Sequence, residues 1–187
     1  MWKQYQIKTA NKSPSRLLQN AQKYAKKGNA LDLGAGGLRD TKYLAKKGFL
    51  VDSVDIQFAS KPRIKGVAYF KQPFHRFKFF PKRYDLINFQ YSLPFTKTQT
   101  FDSIWGKLVR SLKNNGVIVG QLFGVDDEWN IKGSPMTFHT KKEALKMLAP
   151  LEVIFFKEEK KRKMTFRGKM KQWHIFHIIA RLEDEKQ

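Results

Sequence analysis

Asn29-Ala30-Leu31-Asp32-Leu33 runs straight into Gly34-Ala35-Gly36-Gly37, and this junction constrains the fold more than any other stretch of the chain. The first five residues read as a short buried strand. The glycines then force a sharp backbone turn. Leu38, Thr41, Leu44 and Ala45 fall on one helical face, and Gly48 ends that helix. Phe49 to Ile56 is a second dense apolar run, broken by Asp52, Ser53 and Asp55. Strand, glycine turn, helix and strand within about 30 residues make one βαβ unit, which demands a parallel pair. The fold class expected is therefore α/β. With 187 residues and no linker, the chain is read as a single domain over 1–187.

The rest of the chain continues the alternation. Residues 1–28 are expected to be an N-terminal helical segment. Ser13 can cap, Pro14 suits a first turn, and Leu17, Leu18, Ala21, Tyr24 and Ala25 recur at helical spacing through Lys27. After a basic connection over 57–66, Val67 to Phe70 reads as a third strand. Residues 71–83 read as an aromatic, basic loop with one turn of helix. Tyr84 to Phe89 is a fourth strand, Phe101 to Leu112 an amphipathic helix, and Val117 to Phe123 a fifth strand. Thr140 and Glu143 have capping-box spacing at the start of a helix over 141–149, which Pro150 stops. Val153 to Phe156 and Trp173 to Leu182 read as a closing antiparallel hairpin, and 183–187 as a flexible tail.

The same junction carries the chemistry. Glycines after a strand let a ligand approach the backbone closely, and the N–H groups opening the next helix favour an anionic group. Asp55, with Ile56 beside it, follows Gly34 by 21 residues, the right place to accept hydrogen bonds from ribose hydroxyls. A dinucleotide fingerprint needs a third glycine where Arg39 stands, and a phosphate-binding P-loop needs a Gly-Lys-Ser/Thr that is absent. The remaining reading is S-adenosylmethionine, with Asp32 facing its ammonium group and Asp55 its ribose. The plainer readings are a helix cap for Asp32 and a surface carboxylate for Asp55.

Residues Ala30 to Phe49, with Val54-Asp55-Ile56, resemble motif I through the second strand of class I S-adenosylmethionine-dependent methyltransferases. Leu38-Arg39-Asp40 is similar to the Gly-Arg-Asn/Asp of the small TehB-like and thiopurine-methyltransferase-like group. Tyr84-Asp85-Leu86-Ile87 and Leu112-Lys113-Asn114-Asn115-Gly116 fit later segments, so the resemblance covers roughly residues 13–182. It implies a Rossmann-like, seven-stranded mixed sheet flanked by helices, with the last strand antiparallel. It also implies cofactor contacts along Asp32, Gly34, Ala35, Gly36, Asp55 and Ile56. Gln72 would meet the adenine, with Phe74 covering the ring. Phe89 and Gln90 would meet the methionine part, and Tyr91 the substrate side.

Other residues are more open. Arg39 is either a salt-bridge partner or a contact to an anionic substrate. Trp129, in the acidic loop after the fifth strand, is a substrate-side candidate. Asn88-Phe89-Gln90-Tyr91 lacks both prolines of the Asn-Pro-Pro-Tyr motif. His139 and Tyr91 are the catalytic candidates, His139 as a general base or a structural donor. His174 and His177 point to opposite faces of a strand, so no metal pair is expected.

The chain has no cysteine, which excludes disulfides and thiolate chemistry. No apolar run approaches the length of a membrane span, and Met1 to Gln6 lacks a signal-peptide core, so a cytoplasmic location without membrane association is expected. The net charge is +21, carried by three blocks: residues 1–27 at +7, 61–83 at +8 and 157–171 at +6. Such a field draws anions. The function expected is methyl transfer to a small-molecule acceptor, an anionic one by charge. The alternatives are an RNA or ribosome methyltransferase, favoured by aromatics interleaved with Lys and Arg over 69–84, and a non-catalytic cofactor-binding protein.

Overall fold

The computed structural model describes residues 2–165 and 168–184. β1 (Asn29–Leu33) is buried on both faces, as a central parallel strand must be. It pairs in parallel with β2 (Leu50–Asp55) on one side and β4 (Tyr84–Phe89) on the other. β3 (Val67–Lys71) continues the sheet beyond β2, and β5 (Leu112–Gly124) continues it beyond β4. A two-residue strand, β6 (Phe138–His139), pairs with β5. β7 (Glu152–Met164) and β8 (Met170–Arg181) form the closing hairpin, and β8 inserts antiparallel between β5 and β7. The order is β3-β2-β1-β4-β5-β8-β7, with β6 off this path as an eighth strand. The mixed, helix-flanked sheet expected of the sequence is present with that one addition.

Helices cover the two faces unequally. On one face, Leu18 and Ala21 of α2 (Arg16–Ala21) and Leu44 of α3 (Arg39–Lys46) pack on Ala30, Val51, Leu86 and Val119. On the other, Phe101, Ile104 and Leu108 of α4 (Thr98–Ser111) and Leu148 of α5 (Lys141–Leu148) pack on Leu31, Ile87 and Leu122. The capping box opens α5, with the Thr140 side chain accepting from the Glu143 amide and Glu143 accepting from the Thr140 amide.

The N-terminal segment differs from expectation. It holds two helices, α1 (Trp2–Ala10) and α2, and α2 stops at Ala21 rather than Lys27. Beyond it, the Asp85 carboxylate accepts from the Asn29 amide at 2.7 Å and draws the backbone into β1. β5 starts five residues early because Asn115, at φ +61, lets Asn114–Gly116 continue the strand through a register shift. Both hairpin strands are longer than read, pairing out to Met164 and Met170. Of the tail, Asp184 accepts from the Asn115 side chain at 2.6 Å, and residues 185–187 lie outside the described residues.

The connections flanking β3 carry no α-helix. Residues 56–66 are irregular, and residues 72–83 contain only a 3-10 turn at Phe74–Arg76. Pro62, Pro73 and Pro81 remove backbone donors there, and the crowded phenylalanines match no single helical face. No helix among the described residues is long and apolar enough to cross a membrane.

Candidate functional site

Strand order reverses between β1 and β4, and in open α/β sheets such a reversal opens a crevice at the carboxyl ends of the strands. The glycine turn sits there. Gly34 (φ +87) and Gly36 (φ +44) take conformations that side chains resist, and the Gly34 amide bonds the Val54 carbonyl at 2.8 Å. Leu38 enters α3 at φ +63, where a glycine would be unstrained. Asp55 ends β2 facing this turn: Oδ2 accepts from the Gly36 amide and Oδ1 from the Gln57 amide, each at 2.9 Å. Burial raises its pKa while these amides pull it down.

Asp32 lies beneath the turn. Thr41 Oγ1 donates to its Oδ2 at 2.5 Å and Asn88 Nδ2 to its Oδ1 at 2.8 Å. Burial, with the charge of Asp40 added, pushes its pKa up to about 7. It caps no helix, because the N-cap of α3 is Leu38. The bonding continues outward along the strand ends. Gln90 Nε2 donates to Asn88 at 3.0 Å, while Gln121 Nε2 and Ser15 Oγ each donate to Gln90 Oε1 at 2.8 Å. The Tyr91 amide donates to Gln121 Oε1 at 3.0 Å. Thr41 and Gln121 were not among the site residues expected, and Asn88 was weighed only against the Asn-Pro-Pro-Tyr motif. Asn88 and Gln121 did carry a signal, being lone amides inside apolar strands.

α1 lies across the turn. Gln6, only 5% exposed, donates its amide to the Gln57 carbonyl at 2.7 Å, while its buried Oε1 has no hydrogen-bond partner among the described residues. A Cβ on Gly36 would meet Gln6 Cγ at 3.2 Å, and one on Gly37 would meet the Gln6 carbonyl at 2.5 Å. Ser92 closes the opposite side, donating to the Leu33 carbonyl at 2.5 Å.

No protein-family model and no curated protein matches the sequence. Solved structures do match. An S-adenosylmethionine-dependent methyltransferase of Methanosarcina mazei superposes with TM-score 0.66 at 19% identity, over 92% of this chain and 99% of that one. TehB of Haemophilus influenzae gives 0.73 at 18%, over 89% and 61%. The 1,6-didemethyltoxoflavin-N1-methyltransferase of Burkholderia thailandensis, solved with S-adenosylhomocysteine, gives 0.62 at 17%, over 90% and 79%. The fold is that of the S-adenosylmethionine-dependent methyltransferases.

Within this methyltransferase fold the other candidates scatter. Gly34, Ala35, Gly36, Asp55 and Gln90 gather at the crevice, and Asp32 lies under it. Ile56 is exposed and turned to solvent. Gln72 donates its amide to the Asp55 carbonyl at 3.0 Å, but its side chain lines a separate hollow behind β2. Phe74 packs on the core rather than over a ligand. Phe89 is fully buried against Trp105, ring centres 6.1 Å apart, so its side chain faces the core and not the crevice. Its parity along β4 is opposite to that of Asn88.

Arg39 spends its guanidinium on both oxygens of Asp40, each at 3.1 Å, which is the salt-bridge reading. His139 is buried against Phe101, ring centres 4.9 Å apart, and burial lowers its pKa. A neutral ring sealed in the core is not placed to take a substrate proton. Tyr91 stays partly exposed at φ +47, and desolvation, with Glu159 nearby, pushes its pKa up to about 12. Trp129 belongs to a cage around the Lys171 ammonium, which sits 4.0 Å from its ring centre and 3.5 Å from that of Trp173. Lys171 also bonds Asp127 at 2.5 Å. Among the described residues, no group of three His, Cys, Asp or Glu could hold a metal ion.

Proposed function

We propose that the chain transfers a methyl group from S-adenosylmethionine to a small, anionic acceptor. The observation that carries the cofactor is the shared corner of Gly36 and Asp55, a glycine turn and a carboxylate 2.9 Å apart. Each Asp55 oxygen spends one lone pair on a backbone amide and keeps another for a ribose hydroxyl. Asp32 in its ionised form supplies negative charge beneath the ammonium group, whose own charge favours that form. The unpartnered Gln6 Oε1 fits too, since a ligand hydroxyl brought to this corner gives it a donor.

The cofactor supplies a methyl carbon on a sulfonium, which an acceptor lone pair can take without a base. The chain's own residues then bind, align and exclude water. α1 lying across the turn narrows the approach to it, which favours a small acceptor, and the +21 charge favours an anion. The toxoflavin-type neighbour, by its name, methylates a small molecule.

A second reading, an acceptor carried in RNA, is favoured by the basic and aromatic connections beside β3. The test is incubation with methyl-labelled cofactor and two fractions of cell extract. Label in small molecules supports the first reading, and label in RNA selects the second. Cofactor binding with no label anywhere would leave a non-catalytic binding protein.

A further inference from the structure

The charge of this molecule is segregated in space. Residues 4–84 contain four carboxylates, Asp32, Asp40, Asp52 and Asp55, and none is exposed. The same residues present sixteen exposed lysines and arginines. Seven of these cations lie on β3 itself or on the connections flanking it. Among the described residues β3 has no partner on its outer side, and irregular chain flanks it on both sides. An open hollow of about 460 Å³ lies on the α3 side, lined by Lys42, Lys46, Pro62, Ile64 and Lys65. A second, of about 210 Å³, lies behind the sheet, where Phe70, Arg76, Lys78, Phe80 and Arg83 are among its walls. The one acid in it, Asp52, is paired with Arg83 at 3.0 Å and accepts a hydrogen bond from the Tyr84 hydroxyl at 2.8 Å.

Phe80 distinguishes this surface from a plain cationic patch. Its ring is 45% exposed, with Lys78 Nζ 4.9 Å and Arg83 Cζ 5.6 Å from its centre. An exposed ring set among cations offers a stacking face for a base beside contacts for phosphates. Irregular connections offer no helix for a duplex groove. Unstacked bases on a flexible polyanion are what RNA loops present.

We propose that the β3 edge is a docking surface for single-stranded RNA, with Arg76 and Lys78 on the phosphates and Phe80 under a base. This goes beyond the methyl-transfer reading and holds whichever acceptor takes the methyl group. The test is fluorescence anisotropy of the full chain with labelled oligouridylate across a salt series. Arg76→Glu/Lys78→Glu should weaken binding at least tenfold and lower the log–log salt slope by roughly 1.4, at ~0.7 per phosphate contact. Phe80→Ala should weaken it about tenfold, the order expected for one stacked base. Lys142→Glu/Lys146→Glu on α5 should leave affinity within about twofold at physiological salt, because charges beyond a Debye length are screened. Calorimetry with S-adenosylhomocysteine on the same variants should be unchanged, which separates failure of docking from failure of the cofactor assignment. No RNA binding at low salt, equal loss in the α5 variant, or tighter binding to oligodeoxythymidylate or phosphatidylserine vesicles would overturn the proposal.

Discussion

The Thr41 hydroxyl donates to the Asp32 carboxylate at 2.5 Å inside the protein, joining the first turn of α3 to β1. The carboxylate is only 2% exposed, and its pKa rises to about 7. Below about pH 4 both folded and unfolded states hold the proton. Between about pH 4 and 7 the unfolded state gives up its proton while the buried group in the folded state keeps it, so stability falls across that window and levels off above it. At ~1.4 kcal/mol per pH unit, the loss approaches roughly 4 kcal/mol. Asp32→Asn should abolish it. Urea denaturation of both proteins between about pH 4 and 8 should show the gap moving in the variant's favour as pH rises.

Asp55 is predicted to hold the cofactor ribose. Asp55→Ala should weaken S-adenosylhomocysteine binding about tenfold or more, the equivalent of one charge-assisted hydrogen bond. Calorimetric titration measures this. Unchanged affinity would make Asp55 a purely local brace for Gly36.

Gln6 reaches the same corner from α1 with an unsatisfied carbonyl. Gln6→Ala should weaken the same ligand about fivefold, as expected for one neutral hydrogen bond. Tighter binding would instead identify the side chain as a competitor for that space.

Lys171 and Asp127 form a buried ion pair, 1% and 0% exposed in their side chains. Removing one partner strands the other charge, so Lys171→Met should cost about 3–5 kcal/mol. Lys171→Met/Asp127→Asn should recover much of that loss. Thermal denaturation of the two variants checks the ordering.

The parallel sheet was legible because each of β1, β2, β4 and β5 is an apolar run bounded by glycine or turn residues. The glycine turn and Asp55 were legible because their spacing is fixed by one βαβ unit. α1 was legible only as part of a helical segment over 1–28: Trp2–Ala10 has little amphipathic character, and its place depends on a tertiary seat over Gly37. The inward turn of Phe89 was missed because family analogy follows the end of β4 as a segment, whereas strand parity decides which neighbour meets the crevice. His139 was missed as a core residue because β6, two residues long, leaves no periodicity to read. The Lys171 cage joins residues more than forty positions apart, beyond any local pattern.

The insertion of β8 between β5 and β7 sets an order for maturation on the ribosome. In the finished sheet β8 separates β5 from β7, yet it follows both of them along the chain. A nascent chain lacking β8 therefore carries two unsatisfied strand rims, both templates for mispairing. Truncation just before Met170 should give an aggregating product.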